Sequence, residues 1–136
     1  METNCNSSAL PSGNILLIED NQSQSKLLKR WIEVTGNFTV TIVENGRAGL
    51  QSIQDGTWDL IISDIHVPGM NGLELTRHIK TENLPVPILL ISAHDKLDPA
   101  NLELRSQADD YLVKPFAKNL FASKITSLLE RHKAVD

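Results

Sequence analysis

Ile15-Leu-Leu-Ile-Glu-Asp20 is a short apolar run that ends abruptly in two carboxylates. The same design recurs three times. Leu60-Ile-Ile-Ser-Asp64 ends in an acid, Ile88-Leu-Leu-Ile-Ser92 ends in a hydroxyl, and Tyr111-Leu-Val-Lys114 ends in an amine just before Pro115. The apolar runs at 15–18, 60–62 and 88–91 show no alternation of apolar and polar positions, the pattern of strands buried on both faces of a parallel sheet. In such a sheet the residues at the C-terminal strand ends gather along one edge, where open α/β proteins bind their ligands. Glu19, Asp20, Asp64, Ser92 and Lys114 are therefore expected to converge. Three acids, a hydroxyl and an ammonium describe a place for a hard divalent cation and a phosphoryl group.

Between the runs lie amphipathic stretches. Leu27, Leu28, Trp31 and Ile32 predict one face of a first helix, ended by Gly36. Asn45 is placed to cap a short helix carrying Leu50 and Ile53 and closed by Asp55-Gly56. Leu73, Leu75 and Ile79 mark a third helix, Leu102 and Leu104 a weaker fourth. Leu120, Phe121, Ile125, Leu128 and Leu129 mark a terminal one. Phe38-Thr-Val-Thr-Ile42 does alternate and reads as a half-exposed edge strand. Five β–α repeats with right-handed crossovers predict a doubly wound, three-layer α/β fold.

The chain has 136 residues, enough for one domain with a real core. Residues 1–13 are polar and turn-rich and read as a disordered leader; 14–132 read as the domain and 133–136 as a tail. The initial Met suits a natural start, and the chain reads either as a free-standing relay or as a piece of a larger regulator or hybrid kinase. A net charge of −4 argues against a dedicated nucleic-acid binder. No apolar stretch approaches the ~20 residues that span a bilayer, and no basic segment followed by an apolar core marks a secretory leader. The single cysteine, Cys5, excludes an internal disulfide and suits the cytoplasm.

Each candidate site residue has a plain reading beside the chemical one. Glu19 and Asp20 suit Mg²⁺, which binds one or two carboxylates and keeps several waters; acids also decorate helix N-termini for electrostatic reasons. Asp64 stands before a Pro68-Gly69 turn, which holds it at the rim, where a carboxylate can accept a phosphoryl group; acids before such turns are also common turn formers. Ser92 can donate to a phosphoryl oxygen or simply end a strand. Lys114 can pair with Asp64 or face solvent. Pro115 makes a cis Lys114–Pro115 bond accessible.

Glu19-Asp20, Asp64 with Pro68-Gly-Met-Asn-Gly72, Ser92-Ala93 and Ala108-Asp-Asp-Tyr-Leu-Val-Lys-Pro-Phe116 together resemble the receiver domains of two-component response regulators, of the single-domain chemotaxis type. The resemblance covers about 13–132. It implies a flavodoxin-like (βα)5 sheet of strand order 2-1-3-4-5. It implies that Asp64 is the phosphoacceptor, with Asp20, Asp64 and the backbone carbonyl of His66 on Mg²⁺ and Glu19 holding the ion through water. Ser92 and Tyr111 would be switch residues and Lys114 the phosphate-pairing lysine, while His66 and His94 would tune dephosphorylation.

The implied donor is a histidine kinase or histidine phosphotransfer protein. The implied recipient is an effector or output domain touching the surface of the fourth helix, fifth strand and fifth helix. No direct contact with nucleic acid or membrane is implied. Two other readings stand beside this one. One is a receiver that docks without being phosphorylated. The other is an aspartate-nucleophile phosphatase resembling the haloalkanoate-dehalogenase group, which wants a second Asp where this chain has His66.

Overall fold

The computed structural model describes residues 11–92 and 107–135 of the chain. Its elements are β1 (Ser12–Ile18), α1 (Gln22–Thr35), β2 (Asn37–Val43), α2 (Gly46–Asp55), β3 (Leu60–Asp64), α3 (Gly72–Thr81), β4 (Ile88–Ser92), β5 (Asp110–Val113) and α4 (Lys118–Val135). The five strands form one parallel sheet in the order β2-β1-β3-β4-β5. The expected flavodoxin-like order is thus the observed one. The fourth helix expected around Leu102 and Leu104 lies outside the described residues.

Alternation along each buried strand divides the core in two. Ile15 and Leu17 of β1 face α1 and α4, where they join Leu28, Ile32, Phe121, Ile125, Leu128 and Leu129. Leu16 and Ile18 face α2 and α3, where they join Ile53, Leu73, Leu75 and Ile79. Both sets are drawn from one uninterrupted apolar run, which is why that run shows no polar partner positions. Trp31, Phe116 and Phe121 form an aromatic group beside α1. Phe116 stacks on Phe121 at 5.6 Å between centroids, and Trp31 meets Phe121 at 6.0 Å.

Local chemistry sets the helix ends. Asn21 Oδ1 accepts the Gln24 N–H at 3.0 Å, Asn45 Oδ1 accepts the Ala48 N–H at 2.8 Å, and Asn71 and Glu74 exchange hydrogen bonds in a capping box. Gly36 and Gly56 follow the last residues of α1 and α2, as the sequence predicts.

Four expectations need correcting. Leu27 and Leu120 are exposed, at 41% and 46%, rather than on the packed helix faces. Leu28 and Phe121 take the inward positions, and a neighbour one residue away is turned by about 100°. The sheet begins at Ser12, inside the expected leader, because Ser12 and Gly13 pair with Asn37 and Phe38 of β2. The terminal helix continues to Val135, through the expected tail.

Adjacent positions on α4 test this packing. Phe121→Ala is expected to cost about 3–5 kcal/mol, the range for emptying a buried aromatic site. Leu120→Ala is expected to stay within about 0.5 kcal/mol of the parent. Urea unfolding of the two variants checks it; similar losses for both would contradict the assigned faces.

Candidate functional site

β1 and β3 are neighbours in register, with Ile18 opposite Ser63. The chain therefore leaves β1 through Glu19-Asp20 beside the end of β3 at Asp64. β4 lies on the other side of β3, with Asp64 opposite Ile91, and β5 follows with Val113 opposite Ser92. Backbone bonds continue past the strand ends. The Ile65 N–H donates to the Ile91 carbonyl at 2.8 Å, and the Lys114 N–H donates to the Ser92 carbonyl at 2.7 Å. Four strand ends thus deliver Glu19, Asp64, Ser92 and Lys114 to one edge.

The decisive contact is made by side chains 50 residues apart. Lys114 Nζ donates to Asp64 Oδ2 at 2.8 Å and lies 3.4 Å from Glu19 Oε1. Asp64 is 7% exposed and Glu19 3% exposed. The other oxygen of each acid is also bound: Asp64 Oδ1 accepts the His66 N–H at 2.8 Å, and Glu19 Oε2 accepts the Asn21 N–H at 3.1 Å. Ser92 is buried at the end of β4, and Asp20 is exposed beside Glu19. The His66 side chain is exposed, Tyr111 lies on β5 with 40% of its surface exposed, and the Lys114–Pro115 bond is cis. His94 lies outside the described residues.

Burial is the strongest influence on Glu19 and pushes its carboxyl above the usual 4.5. The Asn21 N–H opposes it, the Asp64 charge adds to it, and Lys114 opposes it again; the net direction is upward. Burial alone would lower the Lys114 ammonium. Its hydrogen bond to Asp64 and the charges of Asp64 and Glu19 outweigh that, so the lysine is held above 10.5.

No group of three or more His, Cys, Asp or Glu side chains is gathered tightly enough to enclose an ion among the described residues. The donor set nonetheless fits Mg²⁺. It is all oxygen, it sits at the rim, and an Mg²⁺ site needs only one or two carboxylates because waters complete the shell. One lysine also leaves Glu19 and Asp64 under-neutralised, with Asp20 adjacent in the chain, which favours an added cation.

Sequence reasoning missed the supports of these groups. Gly72 packs against the Asp64 backbone so closely that a Cβ would lie 2.8 Å from the Asp64 carbonyl oxygen. The Gly72 N–H also donates to the Ile65 carbonyl at 3.0 Å. Glycine at 72 was visible in the sequence; the close approach that demands it was not. The amide of His66 on Asp64 carries no side-chain signal at all.

A family model described as the response regulator receiver domain matches residues 15–126. The chain belongs to this family. It is 36% identical over 121 residues to the transcriptional regulatory protein CusR of Escherichia coli (strain K12), covering 89% of this chain and 53% of the relative. The chain thus spans about half the length of the curated relatives it matches. Among solved structures it resembles a signal receiver domain from Vibrio parahaemolyticus, with a TM-score of 0.83, 28% identity, and coverage of 93% of this chain and 96% of that one. It also resembles the response regulator TrrA of Thermotoga maritima in complex with Mg²⁺ and BeF, with a TM-score of 0.77, 30% identity, and coverage of 85% and 97%. The protein is therefore a receiver domain of two-component signalling. No helix among the described residues is long and apolar enough to cross a membrane.

The raised Glu19 carboxyl sets a pH dependence. A group whose folded-state value lies above its unfolded value favours folding when protonated. Metal-free protein is therefore expected to lose stability as pH rises from the usual 4.5 through the higher folded-state value of Glu19. Glu19→Gln removes that component. Thermal melts in chelator should show the variant gaining on the parent between mildly acidic and neutral pH; a difference that is flat with pH contradicts the assignment.

Proposed function

We propose that this receiver takes a phosphoryl group onto Asp64 from the phosphohistidine of a histidine kinase or histidine phosphotransfer protein. A carboxylate oxygen of Asp64 forms the new bond to phosphorus. The bond from phosphorus to the imidazole nitrogen of the donor breaks, and that nitrogen keeps the electron pair. The supporting observation is the Lys114–Asp64 contact at 2.8 Å, which sets a fixed cation against a nearly buried carboxylate at the C-terminal edge of the sheet.

Mg²⁺ would be held by Asp20, Asp64 and the backbone carbonyl of His66, with Glu19 acting through water; when bound it supplies positive charge to the phosphoryl oxygens. Lys114 meets one of those oxygens, and the His66 N–H stays available to the Asp64 carboxyl. The remaining contribution is positioning by strand ends tied to one another through backbone hydrogen bonds.

The product carries about two negative charges that need local partners. Ser92 turns its hydroxyl to one phosphoryl oxygen, and Tyr111, exposed at rest, moves inward to follow it. This biases the two-state surface expected of β5, α4 and the helix read around Leu102 and Leu104, which lies outside the described residues. The exposed imidazole of His66, together with His94, sets how fast water removes the phosphoryl group.

CusR is named a transcriptional regulatory protein and is about twice as long as the matched region. The switched surface accordingly acts on an effector or output segment, and any DNA contact belongs to that segment rather than to this acidic domain. The setting is the cytoplasm.

Acetyl phosphate with Mg²⁺ tests this. Intact-mass spectrometry should show one phosphoryl group added to the parent, none in Asp64→Asn, and none in excess chelator. A parent that stays unmodified at saturating donor, or a variant that is modified equally, overturns the reading.

A further inference from the structure

The turn between β2 and α2, bounded by Val43 and Gly46, makes contacts with two different segments. On one side the Val43 carbonyl accepts the Glu19 N–H at 3.0 Å. On the other the Gly46 N–H donates to the Pro68 carbonyl at 2.9 Å. Gly46 is buried, and a Cβ there would collide with the Met70 carbonyl and lie 2.8 Å from the Met70 Cα. Met70 leads through Asn71 to Gly72, which is packed on the Asp64 backbone. Only Glu44 and Asn45 separate the two points of attachment. Asn45 fixes their geometry, because its side chain accepts the Ala48 N–H at 2.8 Å and starts α2 at Gly46.

This turn therefore touches the segment that carries the acid pair and the loop that follows Asp64. Glu19 and Asp64 approach each other there, both reaching the same Lys114 ammonium, and two like charges so placed repel. A brace that holds their backbones at one separation opposes that repulsion. Mg²⁺ would demand it, since its near-octahedral shell at about 2.0–2.1 Å tolerates little change in the spacing of its ligands.

We propose that the turn 43–46 is a spacer between the acid pair and the Asp64 loop, and that Gly46 is its positioning residue. Glycine stands there because Met70 occupies the space a side chain would need. The proposal rests on the phosphoacceptor reading above for its consequence, but its geometric content is independent of any ion.

Gly46→Ala is the direct test. Gly56→Ala is the control: it lies at the other end of α2, where an added Cβ would meet the Trp58 Nε1 at 2.9 Å, far from the acids in the sequence of contacts. In metal-free protein the backbone amide NMR signals of Glu19 and His66 are expected to shift in Gly46→Ala and to stay in place in Gly56→Ala. In calorimetric titration with MgCl₂, Gly46→Ala is expected to bind at least roughly tenfold more weakly than the parent, the lower range for losing an outer support of a metal site. Gly56→Ala should match the parent.

If Gly46→Ala does not fold, Asn45→Ala loosens the same turn without adding bulk, and Asn45→Ser restores a cap. Weakened Mg²⁺ binding in the alanine variant with recovery in the serine variant supports the spacer. Unmoved Glu19 and His66 signals, or equal Mg²⁺ affinity in all variants, overturn it. A parent that binds no Mg²⁺ defeats the phosphoacceptor reading instead, and the spacer is then judged by the metal-free amide signals alone.

Discussion

The site depends on one ammonium group held between two carboxylates. Glu19 and Asp64 come from neighbouring strands and are almost wholly removed from water. Two ionised acids in such a place are stable only if a positive partner is equally close. Lys114 supplies that partner from β5, on the far side of β4, and so ties three separate strand ends together. The lysine keeps 22% of its side chain exposed, so the pair is open enough for an incoming anion to compete for the ammonium. This arrangement supports the proposed phosphoacceptor reading: a nearly buried carboxylate beside a partly exposed cation.

The fold makes that meeting possible by being rigid below the edge. Two apolar layers, one organised around Phe121 and the other around Leu75, clamp β1, β3 and β4 from both faces. Backbone bonds then carry the register one residue beyond the strands, from Ile91 to Ile65 and from Ser92 to Lys114. Glycine at 72 lets its loop approach the Asp64 backbone, and glycine at 46 lets α2 approach the Met70 backbone, more closely than any side chain would permit. Ion pairs away from the site, Lys80 with Asp109 and Lys124 with Asp110, anchor the start of β5 to α3 and α4. The Ile88 N–H also donates to Asp109, so the start of β4 and the approach to β5 share one carboxylate.

What could be read in the sequence was what a strand end expresses locally. A strand buried on both faces is mostly apolar, so Glu19, Ser92 and Lys114 stood out as the first polar groups after uniform runs, and Asp64 as the acid directly after Ser63. The cap at Asn45 was legible for the same reason, because a helix start requires a short polar acceptor. Leu27 and Leu120 were misplaced because an apolar pair, Leu27-Leu28 or Leu120-Phe121, has two candidate inward members, and packing against the sheet decides between them. Ser12 and Gly13 joined β1 because Asn37 and Phe38 were there to pair with, a relation between segments that neither states alone. Contacts made by backbone groups, such as His66 on Asp64 and Gly46 on Pro68, leave no trace in residue type. They follow from topology, and the receiver family supplies that topology as a whole.

The most direct measurement is a double-mutant cycle on stability in metal-free protein at neutral pH, using Lys114→Met, Asp64→Asn and the double variant. Lys114→Met alone should be destabilising, because it strands Asp64 and Glu19 without their cation, and Asp64→Asn should recover part of that loss. A coupling energy of about 1–3 kcal/mol is the expected result, within the range for directly contacting groups. Additive losses, with no coupling between the two positions, would contradict the claim that this ammonium organises the site.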